Sequence, residues 1–278
     1  MPKILVPTDF STNSKAGIRF ALQWSAKQKL TIQFIHFFNT RRLPQWTDAD
    51  FKINVDREAV HFTQKLEKFI RAVYKSTNTV PGKYNCVAKY GLSADIAIMD
   101  YCRDHTDIHF ICISTRGAGK LNKLLGTHTG NLTTRSKVPV ITVPKNYRMK
   151  PVKDILYASD FSHYAKELKK VVAFARPLGA NIHVLHLSSP DEVIPDEKLI
   201  KKGIKDSLHY VIDLQIEKRR SSQSLLKDLQ RQIYRLKPSL IIMFTDQHRN
   251  FFQKLLFPSK VEQLSFGMSL PLLSFKKE

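Results

Sequence analysis

The chain has 278 residues, 42% of them hydrophobic and 25% charged, with a formal net charge of +21. These proportions exclude a disordered or fibrous chain and allow one large or two ordinary globular domains. No run reaches the ~18 apolar residues of a membrane span, and the opening Met1 to Ser11, with a single lysine and an early Asp9, lacks the form of a signal peptide.

In chain order, a short apolar strand at 4–7 leads through Asp9-Phe10-Ser11 into an amphipathic helix over about 12–28, with Ser11 as a cap or near-cap. A strand at 31–37 follows. Residues 39–52, with Pro44 and Trp46, read as a polar insertion, either a lid or a plain loop, with the loop preferred. A long helix over 54–75, a strand at 84–90 ending at Gly91, a helix over 93–103 and a strongly apolar strand at 109–113 come next. A helix over 119–135 and a Pro-bearing final strand close this half.

The pattern then repeats. Ile4-Leu5-Val6-Pro7-Thr8-Asp9-Phe10-Ser11 returns as Ile155-Leu156-Tyr157-Ala158-Ser159-Asp160-Phe161-Ser162. Phe34-Ile35-His36-Phe37 returns as Val184-Leu185-His186-Leu187, and Lys137-Val138-Pro139-Val140-Ile141 as Ser269-Leu270-Pro271-Leu272-Leu273. The second copy is predicted as strand 155–158, helix 163–178 capped near Ser162, strand 181–187, helix 196–214, a weak strand 216–219, helix 222–236, strand 239–244, helix 250–264 and a final strand. Alternating strands and helices imply parallel pairing, and runs such as Phe110-Ile111-Cys112-Ile113 suit strands buried on both faces. The expected fold is α/β: two tandem doubly wound domains, 1–148 and 149–278, each a mainly parallel five-stranded sheet with helices on both faces.

Cys86, Cys102 and Cys112 are odd in number and without CxxC spacing, which fits buried thiols in a reducing compartment, the cytoplasm. Residues 1–150 hold 24 Lys and Arg against 10 Asp and Glu, a surplus of +14, and the remainder holds 21 against 14, or +7. Such a balance favours acidic partners, or else marks a lysine-rich solvated surface. The charges are scattered, and no aromatic residues interleave with Lys218-Arg219-Arg220 as a single-strand platform requires, so nucleic acid lacks a motif.

In doubly wound sheets ligands bind beyond the carboxyl ends of the strands, where the strand order reverses. Three segments fall there in the first half. In Pro7-Thr8-Asp9, the Asp9 carboxylate either accepts hydrogen bonds from a base or sugar or caps the next helix. Phe37 offers backbone groups to a base edge, while His36 reads as a packing residue. The third segment runs from Ser114 to Thr129, with Gly117, Gly119 and Gly126 for close backbone approach, Thr127 and Thr129 as hydroxyls, and Arg116, Lys120 and Lys123 as cations. It is either a phosphate loop or a Gly-rich turn with surface lysines, and it is not a Walker A loop.

These residues resemble the universal stress protein family. Val6-Pro7-Thr8-Asp9-Phe10-Ser11 is similar to that family's opening and Lys137 to Val143 to its ending. The family's nucleotide signature is Gly, two residues, Gly, nine residues, then Gly with Ser or Thr. Here Ser114 stands at the first Gly, Gly117 matches the second, and eight residues separate it from Gly126-Thr127. The resemblance implies ATP or a related adenine nucleotide, with magnesium, in the first domain. Asp9, with Pro7, Thr8 and Phe37, would meet the base; Ser114, Arg116 and Gly117 the ribose and phosphate; Gly126, Thr127, His128 and Thr129 the phosphates. In the second half, Phe244 to Ser259 retains no glycine and puts Pro258 where the Gly would stand, so that half is expected not to bind ATP. Its implied task is to pair with the first half as a pseudo-dimer, with a further homodimer open.

The sequence therefore points to a nucleotide-responsive stress regulator or chaperone-like factor that acts on a protein partner. No nucleophile–base pattern argues for an enzyme beyond slow ATP hydrolysis. The rival readings are a tandem scaffold without nucleotide and, less well supported, a nucleic-acid binder.

Overall fold

The computed structural model describes residues 2–115, 127–189, 191–193, 196–219, 224–245 and 270–277. They fall into two compact units that divide after Met149.

In the first unit the strands are β1 (Lys3–Pro7), β2 (Thr31–Phe38), β3 (Tyr84–Tyr90), β4 (Ile108–Ser114) and β5 (Val140–Val143), and the helices are α1 (Lys15–Lys27), α2 (Asp48–Thr77), α3 (Ala94–Asp104) and α4 (Thr127–Arg135). The strand order is β3-β2-β1-β4-β5, and all pairs are parallel. Ile4, Leu5, Phe34, Ile35 and Ile111 are fully buried, as expected of strands covered on both faces. On one face Leu5, Ile35 and Ile111 pack with Ile98 and Cys102 of α3 and Leu132 of α4. The reversal of strand order falls between β1 and β4, so the carboxyl ends of those strands mark the place for a ligand.

The second unit repeats this plan. Its strands are β6 (Asp154–Ser159), β7 (Asn181–Ser188), β8 (Ile212–Lys218), β9 (Leu240–Thr245) and β10 (Leu272–Lys276), in the order β10-β9-β6-β7-β8 and again parallel. Its described helices are α5 (Tyr164–Ala175), α6 (Glu197–Leu208) and α7 (Leu225–Leu236). The predicted helix over 250–264 lies outside the described residues, as does 119–126 of its counterpart in the first unit.

Several boundaries differ from expectation. The long helix of the first unit begins at Asp48, not 54, so the end of the expected 39–52 insertion is helical. Thr47 and Asp50 form a reciprocal capping box: the Thr47 Oγ1 accepts from the Asp50 amide at 3.2 Å and the Thr47 amide donates to Asp50 at 3.0 Å. In the second unit α6 stops at Leu208 rather than 214, because His209 adopts a left-handed φ of 47°. That frees Ile212, Leu214 and Ile216 to alternate along β8. Finally, α1 starts at Lys15, and Ser11 and Ser162 serve no helix as side-chain caps. Ser11 Oγ accepts from the Ser14 amide within the preceding turn, and Ser162 Oγ donates to Asp160.

The three cysteines are unpaired, and burial pushes the thiols of Cys86 and Cys102 up to about 12. Among the described residues no helix is long and apolar enough to cross a membrane.

Candidate functional site

The turn after β1 has the same construction in both units. Thr8 Oγ1 accepts from the Phe10 amide at 3.2 Å, Asp9 Oδ1 accepts from the Ser11 amide at 3.0 Å, and Phe10 sits at φ 61°. In the second unit Ser159, Asp160 and Phe161 make the same bonds, at 3.1 Å each, and Phe161 also sits at φ 61°. A left-handed aromatic residue costs about 1–2 kcal/mol, so both turns need an external hold. That hold is the histidine of the second strand. The carbonyl of Thr8 can only accept, so the His36 Nδ1 donates to it, at 2.8 Å, while the Phe10 ring packs on the imidazole with centroids 4.3 Å apart. His186 faces Ser159 O at 2.9 Å and packs on Phe161 at 4.3 Å. Burial and the nearby Lys65 charge hold His36 below its ordinary range despite the Thr8 bond. His36 is thus a turn clamp, a role the sequence showed only as a recurring histidine.

In the first unit this turn borders a cleft of about 130 Å³ at the carboxyl ends of β1, β2 and β4. Pro7, Thr8, Asp9, Phe37, Ser114 and Thr129 all line it, so six of the predicted site residues converge from four separate elements. Ile98 and Ile113 add an apolar wall, and of the two only Ile113 stood in a run read as buried strand. Arg116, Gly117 and Gly126 lie outside the described residues. Thr127 and His128 open α4, and the amides of a helix N-terminus suit an anion. A buried carboxylate steadies this corner: Asp95, in the first turn of α3, accepts from Ser93 Oγ at 2.5 Å and from Asn131 of α4 at 2.7 Å.

Ser114 is turned into the protein. Its Oγ accepts from the Gly17 amide at 2.6 Å and donates to Ser14 O at 3.0 Å, which ties the end of β4 to the first turn of α1. A Cβ on Gly17 would lie 3.1 Å from both the Ser114 amide and its hydroxyl, so Gly17 and Ser114 fit as a pair. Ser114, which the resemblance puts at the ribose, thus has its hydroxyl engaged in an anchoring contact at the rim.

In the second unit the corresponding place is a larger cleft of about 370 Å³, with a different lining. Lys277 Nζ donates to Asp160 at 2.6 Å and to Ser162 Oγ at 2.9 Å. Burial alone would raise the Asp160 carboxyl, but the bonds from Lys277 and Ser162 together outweigh it and bring it down to about 2. Asp160 is thus occupied by the protein's own cation. Glu167, from α5, is buried in this cleft, and the buried Tyr157 hydroxyl donates to it.

A doubly wound parallel sheet repeated twice, with a cleft at the carboxyl ends of its strands in each unit, defines the class of α/β protein. The family model described as "Universal stress protein family" matches residues 1–144, and the chain belongs to that family. It is similar over 99% of its length to 96% of the crystal structure of a universal stress protein from Archaeoglobus fulgidus DSM 4304, with TM-score 0.69 and 20% identity. It is also similar over 99% of its length to 92% of a functionally unknown protein from Pseudomonas aeruginosa PAO1, with TM-score 0.60 and 14% identity. At these identities the likeness shows the fold, extended over both units. No curated protein matches the sequence.

Proposed function

We propose that the first unit binds ATP or a related adenine nucleotide, and that the protein acts as a nucleotide-responsive stress regulator. The observation that supports this most is the convergence of Pro7, Thr8, Asp9, Phe37, Ser114 and Thr129 on one cleft at the switch point. Asp9 supplies acceptor oxygens for an exocyclic amine or ribose hydroxyl. Phe37 and Ile113 supply apolar contact for a base. The cleft of about 130 Å³ suits a base rather than a whole nucleotide, since pockets that bury larger ligands run to about 300 Å³ or more. Ribose and phosphates would extend toward residues 114–129, where the α4 amides and Arg116, Lys120 and Lys123 favour negative charge. In this reading ligand binding biases the glycine segment between two states that a protein partner reads.

The test is calorimetric titration of the full chain with magnesium and ATP, beside Gly126→Asp. A stoichiometry near one, lost in the variant, is the expected result. The absence of heat and of any thermal shift would leave the tandem scaffold as the better reading.

A further inference from the structure

The cleft of the second unit differs from the first in size, charge and the state of its polar groups. Most of its ionic atoms are already engaged. Asp160 and Lys277 hold each other, and His186 Nε2 faces Glu192 at 2.9 Å. The other Glu192 oxygen accepts from the Ser189 amide at 3.0 Å. Asp228, next in sequence to the lining Leu229, is held by Arg231. Two lining groups are engaged only through longer ion pairs. Glu167 is 4% exposed; its Oε2 takes the Tyr157 hydroxyl, but its Oε1 has no hydrogen-bond partner among the described residues and lies 3.7 Å from Lys277 Nζ. Arg219 Nε likewise has none, and it approaches Asp228 only to 3.9 Å. A buried polar atom without a hydrogen bond is costly even beside an opposite charge, so such atoms at a cleft wall mark where a ligand would be held.

We propose that this cleft binds a small zwitterion with an apolar body, of the size of an aromatic amino acid. The cationic end would donate to Glu167, the anionic end would meet the Arg219 guanidinium, and the body would lie against Leu185, Leu229, Met243 and Phe244. The volume of about 370 Å³ is in the range of ligand pockets. Three carboxylates, Asp160, Glu167 and Glu192, against the two cations Arg219 and Lys277, disfavour a polyphosphate. Burial pushes the Glu167 carboxyl up, and an ammonium group would offset that penalty by favouring the ionised form.

Met243 lines the cleft and is buried, so its methyl group is a local reporter. The full chain, with carbon-13 in its methionine methyls, would be titrated with L-phenylalanine, with 3-phenylpropanoate, which lacks the amine, and with phenethylamine, which lacks the carboxylate. The expected result is a saturable shift of the Met243 signal with L-phenylalanine. Each control, and each of Glu167→Gln and Arg219→Gln, should weaken binding about tenfold or more, the loss of one charge-assisted contact. Leu225→Trp narrows the cleft without removing a charge and should abolish the shift while the other methionine signals stay in place, which separates a filled site from a misfolded one. No saturable shift at millimolar L-phenylalanine, or equal affinity for all three probes, would overturn the proposal. Magnesium and ATP titrated into the same sample report on the first unit, so failure of one reading is distinguishable from failure of the other.

Discussion

Ser114 ends β4, and its hydroxyl joins that strand to α1 through Gly17 and Ser14. In Ser114→Ala the Gly17 amide loses its acceptor, so we expect a loss of about 1–2 kcal/mol in urea denaturation, with the fold intact. Asp160 carries a second residue-scale consequence. Its folded-state carboxyl, at about 2, lies below the ordinary 3.8, so its contribution is present above the ordinary value and is lost as pH falls toward 2. In Lys277→Ala that contribution should shrink, and the urea midpoint should fall less steeply between pH 4 and pH 2 than in the parent. Glu167 acts in the opposite sense. Burial raises it, so its contribution is greatest at low pH and fades as pH rises through its folded value. Removing Lys277 takes away a nearby cation that pulls Glu167 down, so the variant should also be less stable at neutral pH.

At the scale of elements, α2 shows how a cap can override composition. The stretch from Asp48 to Phe51 lies in what reads as a polar insertion, yet the Thr47–Asp50 box starts the helix there. The four deeply buried side chains of α2, Leu66, Ile70, Val73 and Tyr74, all belong to its second half, so the first turns depend on the cap and on contacts such as Phe51 with Tyr90. Thr47→Ala should therefore cost about 1 kcal/mol locally, seen as faster amide exchange over residues 51–55 with little change at Ile70. The left-handed Phe10 and Phe161 belong to this scale as well. Each is tolerated because an aromatic ring packs on the histidine of the neighbouring strand, which in turn faces the carbonyl of Thr8 or Ser159.

Across the whole molecule, one topology appears twice with two chemistries at its switch points. The first unit keeps a small cleft with Asp9 at its edge, and the second fills the equivalent position with a Lys277–Asp160 pair inside a larger cleft. If the first unit binds nucleotide, magnesium and ATP at about 100 times Kd should stabilise its folded state by about 2.7 kcal/mol. Thermal unfolding followed with and without nucleotide checks this, and Lys277→Ala should leave the increment unchanged.

The repeat of Ile4 to Ser11 in Ile155 to Ser162, the apolar strands and the helical spacing determined the class of fold, because hydrophobic periodicity and turn residues act locally along the chain. The convergence of Asp9, Phe37 and Ser114 was also legible, since doubly wound topology carries strand ends to one edge. Three things were decided only by tertiary contact: the inward turn of Ser114, the histidine clamp on the left-handed phenylalanine, and the capture of Asp160 by Lys277, which is 117 residues away in sequence. Each depends on a partner distant along the chain, and hydrogen bonding between such partners is set by how the sheet brings them together, not by the residues beside them.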